Sequence, residues 1–268
     1  MTIGMNNLGK NGRIGNQLFQ YAALVGIAKK RGFDFRIPEH QELSKCFEML
    51  HCGNRYGYID GDEVELHESH EFCEELYNEC PNHATLSGYF QSEKYFKDAQ
   101  RLLRWDFRFK ENIIDEVDEK YGDLLKDNPV SICVREYNDH FDYANASQNH
   151  RNIPWNYFER AIEMLGKDRP YIICSNNLEL CKNQDVFGGD NFYFNDIETK
   201  VEKSHFDLCL ISKCHDFIVS NSTFSWWGAY LSPNPDKRII APDKWYGPGL
   251  QHISTKDLFP ETWEVIQS

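Results

Sequence analysis

The chain has 268 residues, of which 41% are hydrophobic and 14% aromatic, enough for one large or two small globular domains. It carries 42 acidic residues against 29 Lys and Arg, and this net charge of −13 argues against nucleic acid as a partner, because an acidic surface repels phosphate backbones.

The composition and pattern also speak against secretion and membrane insertion. Residues 1–10 lack the basic start and apolar core of a signal peptide, and no run approaches the ~18 apolar residues of a membrane helix. The nine cysteines include no Cys-x-x-Cys pair, which indicates reduced thiols and no metal site. We therefore expect a cytoplasmic protein without an integral membrane segment.

The first half of the chain predicts strands and helices around one long, poorly patterned stretch. The apolar residues of the first helix recur at spacings of three and four, and Gly32 is placed to end it. Residues 39–83, rich in Glu, His and Cys, predict loops with short helices. The other expected elements are strands 2–6, 33–37 and 85–90 and helices 16–32, 92–103 and 111–126.

From Pro129 onwards, short strands of Val, Ile and Cys alternate with amphipathic helices. This alternation is typical of a parallel sheet covered by helices on both faces. The predicted strands are 130–134, 171–175, 192–194, 216–220 and 238–242, and the predicted helices are 155–165, 178–184, 204–214 and 222–231. We place the break between two α/β domains near residue 127, giving domains 1–127 and 128–268. Such sheets bind ligands at the carboxyl ends of their strands, so the loops after them are the candidate site.

The loop GKNGRIGNQ, residues 9–17, joins the first strand to the first helix. Its glycines allow the backbone to approach a ligand closely, and Arg13 adds a fixed positive charge with a fork of donors. No Gly-Lys-Ser/Thr follows, so it is not a Walker loop. A tight, solvated turn is the alternative interpretation.

The loop CVREYNDHFDY, residues 133–143, begins as a buried strand ends. The guanidinium of Arg135 is expected at the carboxyl edge of the sheet, where it can bind a diphosphate. Glu136, Asp139, His140 and Asp142 are candidates for a general base. Alternatively, this is a solvated acidic loop in which Arg135 pairs with a neighbouring carboxylate.

Two further loops follow predicted strands. In CSNNLE, residues 174–179, Asn176 or Asn177 caps the next helix or hydrogen-bonds a nucleotide base, and capping is the simpler interpretation. In SNSTFSWWGAYL, residues 220–231, hydroxyls and free amides at a helix start form a possible phosphate cradle. We expect one of Trp226 and Trp227 to pack inward and the other to brace the site or line a sugar-binding surface; an ordinary capped core helix is the alternative.

Several of these stretches, in this order, resemble the α-1,2-fucosyltransferases of glycosyltransferase family 11. The segments are GRIGNQLFQYAALVGIAKKRGF, GYFQSEKYF, IICSNNLELCK, SNSTFSWWGAYL and APDKWY. The resemblance spans nearly the whole chain. It implies a GT-B-like fold of two Rossmann-like α/β domains, with the nucleotide-sugar site in the cleft between an acceptor-side N-terminal domain and a donor-binding C-terminal one.

The resemblance also implies site residues, with some departures. The family pattern His-x-Arg-Arg-x-Asp becomes Cys133, Arg135, Glu136 and Asn138, so Arg135 remains as diphosphate clamp and Arg13 is the candidate for the missing second cation. The Arg13 loop is also similar to that of protein O-fucosyltransferases. Asn177 stands where an acidic residue commonly binds guanine. The expected donor-binding residues are Gly12, Gly15, Asn16, Arg135, Ser175, Asn177, Asn221, Ser222, Thr223 and Phe224.

The function implied by the resemblance is transfer of L-fucose from GDP-β-L-fucose to the 2-hydroxyl of a galactoside, with inversion and without a metal or other cofactor. The expected partners are therefore a nucleotide sugar and a galactose-containing glycan. Arg135 and Arg13 would stabilise the departing diphosphate, and Asp139, His140 or Asp142 would act as base. The departures leave two alternatives: a transferase of the same fold that uses another nucleotide sugar, or a non-catalytic nucleotide- or glycan-binding relative.

Overall fold

The structure, a computed structural model, describes residues 1–39, 41–61, 63–139 and 145–268. The chain forms two units, each with its own parallel sheet. The first unit contains Met1–Lys110 and Ser254–Glu261, and the second contains Glu111–Ile253 and Thr262–Ser268.

The first unit is built on a four-stranded sheet of order β2-β1-β4-β3, in which every neighbouring pair is parallel. All four strands therefore end at the same edge of the sheet. The elements are β1 (Thr2–Gly4), α1 (Ile14–Arg31), β2 (Asp34–Arg36), α2 (Glu42–Cys46), β3 (Val64–His67), α3 (Glu74–Glu79), β4 (Ala84–Ser87) and α4 (Gln100–Asp106).

Helix α1 is the central helix of this unit. It ends where the sequence predicts, because Gly32 adopts the left-handed conformation (φ 66°) and its N–H reaches back to the carbonyls of the last turn. Fourteen of its residues, from Ile14 to Ala28, are buried. Gly26 allows the closest approach, since a Cβ built there would lie 1.9 Å from the carbonyl oxygen of Tyr95.

Two expectations for the first unit are wrong. The single helix expected over residues 92–103 is interrupted at Phe96 (φ −132°, ψ 6°), so that two 3₁₀ turns, Glu93–Tyr95 and Lys97–Ala99, precede α4. Strand β3 lies in the stretch where we expected only loops and short helices. Its residues are mostly exposed, and therefore the apolar alternation that signals a strand is absent.

A short C-terminal segment, Ser254–Glu261, belongs to the first unit although it lies at the other end of the chain. Lys94 Nζ is 2.5 Å from Asp257 Oδ1, and the amide of Phe72 donates to Asp257 Oδ2 over 3.2 Å. Lys256 pairs with Glu71. These contacts connect residues more than 160 positions apart.

The second unit contains a six-stranded sheet of order β10-β9-β8-β5-β6-β7, again entirely parallel. Its elements are α5 (Glu111–Leu125), β5 (Val130–Val134), α6 (Ala146–Asn149), α7 (Trp155–Leu165), β6 (Tyr171–Ser175), α8 (Leu178–Lys182), β7 (Phe192–Phe194), α9 (Lys203–Lys213), β8 (Asp216–Ile218), α10 (Thr223–Tyr230), β9 (Ile239–Pro242) and β10 (Glu264–Ile266).

Each face of this sheet is covered by its own helices. On one face the buried side chains of β5 and its neighbours pack with α7 and α8 in a continuous core. On the other face α9 packs against α5 and α10. The strands are fully buried at β5, β8 and β9, which explains their continuous apolar runs.

The expectation that one of the two tryptophans of α10 lines a sugar-binding surface is wrong, since both are fully buried. Trp226 contacts the rings of Trp227, Tyr230 and Trp263, with centroid separations of 4.6–5.2 Å. Helix α10 is enclosed because α9 packs closely on it: a Cβ at Gly228 would lie 2.5 Å from the side chain of Ile211. Neither indole is therefore available to line a site.

The two units divide after Lys110, whereas the sequence pattern suggested a division near residue 127. Helix α5 accounts for the difference, because it packs against α9 and so groups with the second sheet. Which unit binds donor and which binds acceptor stays a prediction.

Two glycine substitutions in helices should change the stability of the protein in opposite directions, and together they test the close packing at Gly26. Gly26→Ala places a methyl group against the backbone of Tyr95, and we expect it to lower the free energy of unfolding by about 3 kcal/mol. Gly122→Ala, at a partly exposed position of α5 where a Cβ would have nothing within 4 Å, is the matched control and should raise stability by about 0.5–1 kcal/mol. Urea unfolding of both variants measures this, and equal effects would contradict the close approach at Gly26.

Candidate functional site

The winding of the second sheet reverses beside β5. From β5 the chain proceeds to β6 and β7 on one side, and it then crosses through α9 to β8 on the other side. In open parallel sheets, ligands bind at the carboxyl ends of the strands where the winding reverses. The two loops at this point are those that follow β5 and β8, and they carry Arg135 and Ser220–Thr223 respectively.

A tyrosine connects these two loops. The guanidinium carbon of Arg135 lies 4.8 Å from the centroid of the Tyr137 ring, a cation–π contact. The hydroxyl of Tyr137 donates a 2.7 Å hydrogen bond to the backbone carbonyl of Asn221. The cation of the β5 loop is thereby held close to the loop that begins α10.

Tyr137 is itself fixed on several sides. Its ring stacks on His150 with a centroid distance of 4.5 Å and an interplanar angle of 19°. Its backbone N–H donates to Asn152 Oδ1 over 2.7 Å, and Asn152 Nδ2 donates back to the Tyr137 carbonyl over 3.3 Å. Sequence reasoning missed Tyr137 because only the arginine, the acidic residues and the histidine of its loop were considered. An aromatic residue two positions after a predicted phosphate-binding Arg was the available signal.

The β6 loop is bound to the β5 loop by side-chain amides. Asn176 accepts from the amide of Glu136 and donates to its carbonyl, each over 2.9 Å. Asn177 is the N-cap of α8, where its Oδ1 accepts from the amide of Leu180 over 3.1 Å, and its Nδ2 donates to Glu136 Oε2 over 2.7 Å. Both polar atoms of the Asn177 side chain are thus engaged inside the protein. Ser175 Oγ accepts from the amide of Asn177 over 3.0 Å.

The start of α10 has partly exposed hydroxyl-bearing residues next to a buried asparagine. Ser222 is the N-cap residue, but its hydroxyl makes no capping bond to the helix. Ser222, Thr223 and Phe224 are all partly exposed. Asn221 is buried, and its Nδ2 donates to the carbonyls of Arg151 and Trp245, each over 2.8 Å. The side chain of Asn221 therefore holds neighbouring loops in place beneath the helix start.

A cavity of about 250 Å³ opens beside Arg135 on the side of α7 and α8. Its walls are mainly apolar, with Arg135, Glu136 and Asn152 as the polar members. The other lining residues are Val134, Ile153, Pro154, Trp155, Phe158 and Leu180. Of the predicted donor-binding residues, Arg135 lines this cavity, whereas the hydroxyl-bearing residues at the start of α10 do not.

The predicted bases are only partly described. Asp139 is exposed, and its Oδ1 accepts from the amide of Ser147 over 2.7 Å, which places it at the start of α6. His140 and Asp142 lie outside the described residues.

The cysteine in the family's histidine position is buried and unreactive. Cys133 lies beside Cys174 in the β5–β6 register, and burial raises the pKa of both thiols, that of Cys174 to about 12. A thiol held protonated is neither a nucleophile nor a metal ligand. Among the described residues, no group of three or more His, Cys, Asp and Glu side chains is placed to hold a metal ion.

One carboxylate at the same edge of the sheet was missed from the sequence. Asp207, on α9, accepts from Asn195 Nδ2 over 2.7 Å and pairs with Lys203 Nζ at 2.5 Å, and Asn195 directly follows β7. Burial raises the pKa of the Asp207 carboxyl despite these partners. A carboxyl perturbed by desolvation at a ligand-binding edge is a candidate site residue. In the sequence it looks like one polar position of an amphipathic helix.

The glycine-rich loop lies at the carboxyl edge of the first sheet. Arg13 is exposed and is the N-cap residue of α1. Gly12 has φ +87°, and a Cβ there would lie 2.2 Å from Asn16 Nδ2, so the turn requires glycine. Asn16 Oδ1 accepts from Gln91 Nε2 over 3.2 Å, and Gly15 is buried in the first turn of α1.

None of the helices in the described part of the chain is both long enough and apolar enough to span a bilayer.

Comparison with known proteins gives one family. The model of glycosyl transferase family 11 matches residues 1–267. The α-1,2-colitosyltransferase of Escherichia coli is 28% identical, over 96% of this chain and 97% of that protein. The O-antigen biosynthesis glycosyltransferase WbnK of E. coli is 27% identical over 70% of this chain, and human galactoside α-(1,2)-fucosyltransferase 1 is 26% identical over 83%. The chain spans 64% of the length of each of these last two.

Solved structures agree on the fold. POFUT1 in complex with GDP superimposes with a TM-score of 0.54 over 90% of this chain and 97% of that one, at 10% identity. NodZ α-1,6-fucosyltransferase, soaked with GDP-fucose, gives 0.51 over 90% and 94%, at 13% identity. The α/β fold with two parallel sheets is thus the GT-B-like fold of these fucosyltransferases, as the sequence predicts.

The Tyr137 hydroxyl can be tested by its removal. Tyr137→Phe keeps the ring under Arg135 but loses the bond to Asn221, and we expect the Kd for inorganic pyrophosphate to rise about fivefold, the loss of roughly 1 kcal/mol. Isothermal titration calorimetry measures this. Tyr193→Phe, at an exposed tyrosine of β7, is the control. An unchanged Kd in Tyr137→Phe would remove this residue from the site.

Proposed function

The chain belongs to glycosyltransferase family 11, and we propose that it transfers L-fucose from GDP-β-L-fucose to the 2-hydroxyl of a galactoside. The relatives support this assignment, since the names of several describe galactoside α-1,2-fucosyl transfer. The observation in the structure that carries the proposal is the position of Arg135. Its guanidinium is held by Tyr137 at the point where the winding of the second sheet reverses.

The diphosphate of the donor would lie between Arg135 and the start of α10. A guanidinium offers paired donors to phosphate oxygens. The amides of the first turn of α10 add partial positive charge, and the Ser222 hydroxyl makes no capping bond with them. The bond from Tyr137 to the Asn221 carbonyl connects these two groups.

The reaction would proceed with inversion. The anomeric C–O bond to the β-phosphate breaks as the galactoside oxygen bonds to the anomeric carbon from the opposite face, converting a β-linked donor into an α-linked product. Negative charge grows on the departing GDP, and prepositioned donors bind it more tightly in the transition state than in the ground state. Each such donor contributes roughly 3–4 kcal/mol. Because these charges come from the protein, we propose that no metal is needed.

The proton of the acceptor hydroxyl must also leave. Asp139 is the described candidate to accept it, because its side chain is exposed to solvent at the end of the β5 loop. Little activation is needed if the bond to GDP breaks first.

We assign recognition of the guanine base to Asp207 in place of Asn177. Guanine presents two donors, N1–H and the exocyclic amine, which a carboxylate accepts and an amide NH₂ opposes. Asn177 already uses both its polar atoms as a helix cap and as a donor to Glu136. Asp207 lies on α9, which packs against α10, and its partner Asn195 directly follows β7 at the carboxyl edge of the sheet. A nucleotide whose diphosphate lies at the start of α10 would then extend its base along this edge towards Asp207.

Colitose is the second candidate for the transferred sugar. The α-1,2-colitosyltransferase matches over 97% of its own length, in contrast to 64% for the human fucosyltransferase. Colitose lacks the 3-hydroxyl of fucose, so the two donors differ in one polar contact to the sugar and share the nucleotide.

The proposal is tested by incubation with GDP-fucose or GDP-colitose and lactose or N-acetyllactosamine, with and without EDTA. We expect a product with one added sugar on the galactose 2-hydroxyl, unaffected by EDTA, as seen by mass spectrometry and NMR. Arg135→Ala should lose on the order of 100-fold or more in kcat. Arg135→Lys should retain only part of the wild-type kcat, because an ammonium group cannot bind phosphate oxygens through two parallel hydrogen bonds as a guanidinium does.

Arg101→Ala, at an exposed arginine of α4, is the control for loss of a positive charge. Wild-type kcat in Arg135→Ala would refute the clamp. GDP binding without transfer from either donor would identify a non-catalytic relative.

Asp207→Asn tests base recognition separately. IDP differs from GDP only in lacking the exocyclic amine, so the wild-type protein should bind GDP more tightly than IDP. In the variant the ratio of the Kd for IDP to the Kd for GDP should fall about tenfold, because the hydrogen bond from the exocyclic amine to a charged acceptor is lost. Calorimetric Kd values for both nucleotides measure this. Asp123→Asn, on the exposed face of α5, is the control. An unaltered GDP/IDP ratio in Asp207→Asn would place the base elsewhere.

A further inference from the structure

The turn after β4 in the first unit has an unusual backbone. Gly88 has φ +147° and Phe90 has φ +54°, a left-handed conformation that side chains such as Phe rarely adopt. The ring of Phe90 is fully buried. Such strained positions persist only where the surroundings hold them, and they are frequent at functional sites.

Glu68, the residue after β3, holds this turn. Its Oε2 accepts from the amide of Tyr89 over 2.8 Å and from the amide of Phe90 over 2.6 Å. Gln20 Nε2 donates to the carbonyl of Gly88 over 2.9 Å. A Cβ at Gly88 would lie 2.5 Å from the Cβ of Glu68, so the carboxylate approaches this closely only because residue 88 is glycine.

The turn leaves the Tyr89 ring at the surface, 39% exposed. Among the contacts of the described residues, this ring has no ring partner and its hydroxyl no hydrogen bond. An aromatic ring kept exposed by a strained turn, next to a carboxylate with one oxygen bound to backbone amides, has no evident structural role.

Both groups lie beside the glycine-rich loop. Strands β3 and β4 are parallel to β1, so Glu68, Tyr89 and the loop after β1 share the carboxyl edge of the first sheet. The bond from Gln91 Nε2 to Asn16 Oδ1, 3.2 Å long, ties the turn to that loop directly.

We propose that Tyr89 and Glu68 form a binding site for the galactosyl residue of the acceptor. The inference rests on the proposed function and gives it a location on the first unit. A galactoside has one face of C–H groups, which packs on an aromatic ring, and hydroxyls around its rim, which donate to a carboxylate. The exposed ring of Tyr89 and the second oxygen of Glu68 provide this combination.

The environment of Glu68 suits this task. Burial raises the pKa of its carboxyl although the amides of Phe90, Tyr89 and Gln91 and the nearby His70 act in the opposite direction. A hydrogen bond from a sugar hydroxyl to a partly desolvated carboxylate is stronger than one to a carboxylate in bulk water.

The test compares Tyr89→Ala, Tyr89→Phe and Glu68→Gln, with Tyr193→Ala of the second unit as the control for loss of an exposed tyrosine. We expect Tyr89→Ala to raise the acceptor KM about fivefold to tenfold, as expected for a lost stacking partner, with GDP affinity and melting temperature unchanged. Tyr89→Phe retains the ring and should recover most of the wild-type KM. Glu68→Gln should raise the acceptor KM as well.

Binding of methyl β-galactoside, followed by saturation-transfer NMR, separates failure of the inference from failure of the proposed function. Signals present in wild type and lost in Tyr89→Ala support the site even without turnover. Fucose transfer with a wild-type acceptor KM in Tyr89→Ala would overturn the inference and leave the proposed function intact. Loss of GDP binding in Tyr89→Ala would also overturn it, since the defect would then not be confined to the acceptor.

Discussion

The second unit depends on the contact between the two loops that flank the reversal of winding. Strand β5 lies in the interior of its sheet, with β6 on one side and β8 on the other. Helices cover both faces of such a sheet, so the edge beyond the strand ends is where a ligand can reach backbone and side-chain donors. The Tyr137 hydroxyl bonds the β5 loop to the β8 loop at this edge, and the Tyr137 ring carries the guanidinium of Arg135. The side chain of Tyr137 thereby holds the Arg135 guanidinium close to the start of α10 at the carboxyl edge of the sheet.

Two of the departures from the family pattern are explained by a contact between the two residues concerned. Glu136 and Asn177, which differ from the residues common in the family, are hydrogen-bonded to each other over 2.7 Å. An acidic residue at position 177 would face the carboxylate of Glu136, and like charges at this distance repel. A neutral amide in that place relieves the repulsion and caps α8 as well. Cys133 is a further departure, and its burial shows why a small thiol is tolerated there.

The sequence predicted correctly those helices and strands whose bounds are set by neighbouring residues in the chain. Helix α7 matches its predicted range of 155–165 because Pro154 precedes an apolar repeat of three and four, and strands β5 and β6 match because buried parallel strands are continuously apolar. Elements set by distant contacts were missed. Strand β3 has mostly exposed residues and is defined by its pairing with β4, while segment 254–261 belongs to the first unit through Asp257 and Lys256. The candidate site shows the same division: Arg135 follows from its position after a strand, whereas the roles of Tyr137 and Asp207 depend on partners far along the chain.

The central claim is that a nucleoside diphosphate lies between Arg135 and the start of α10. A crystal structure of the full chain with GDP tests it most directly. We expect β-phosphate oxygens within about 3 Å of the Arg135 guanidinium and of the amides of Thr223 and Phe224, the first residues of α10, because the amide of Ser222 already donates to the Ser220 carbonyl. GDP bound away from the carboxyl edge of the second sheet, with Arg135 still lying over Tyr137 and touching no phosphate, would contradict it.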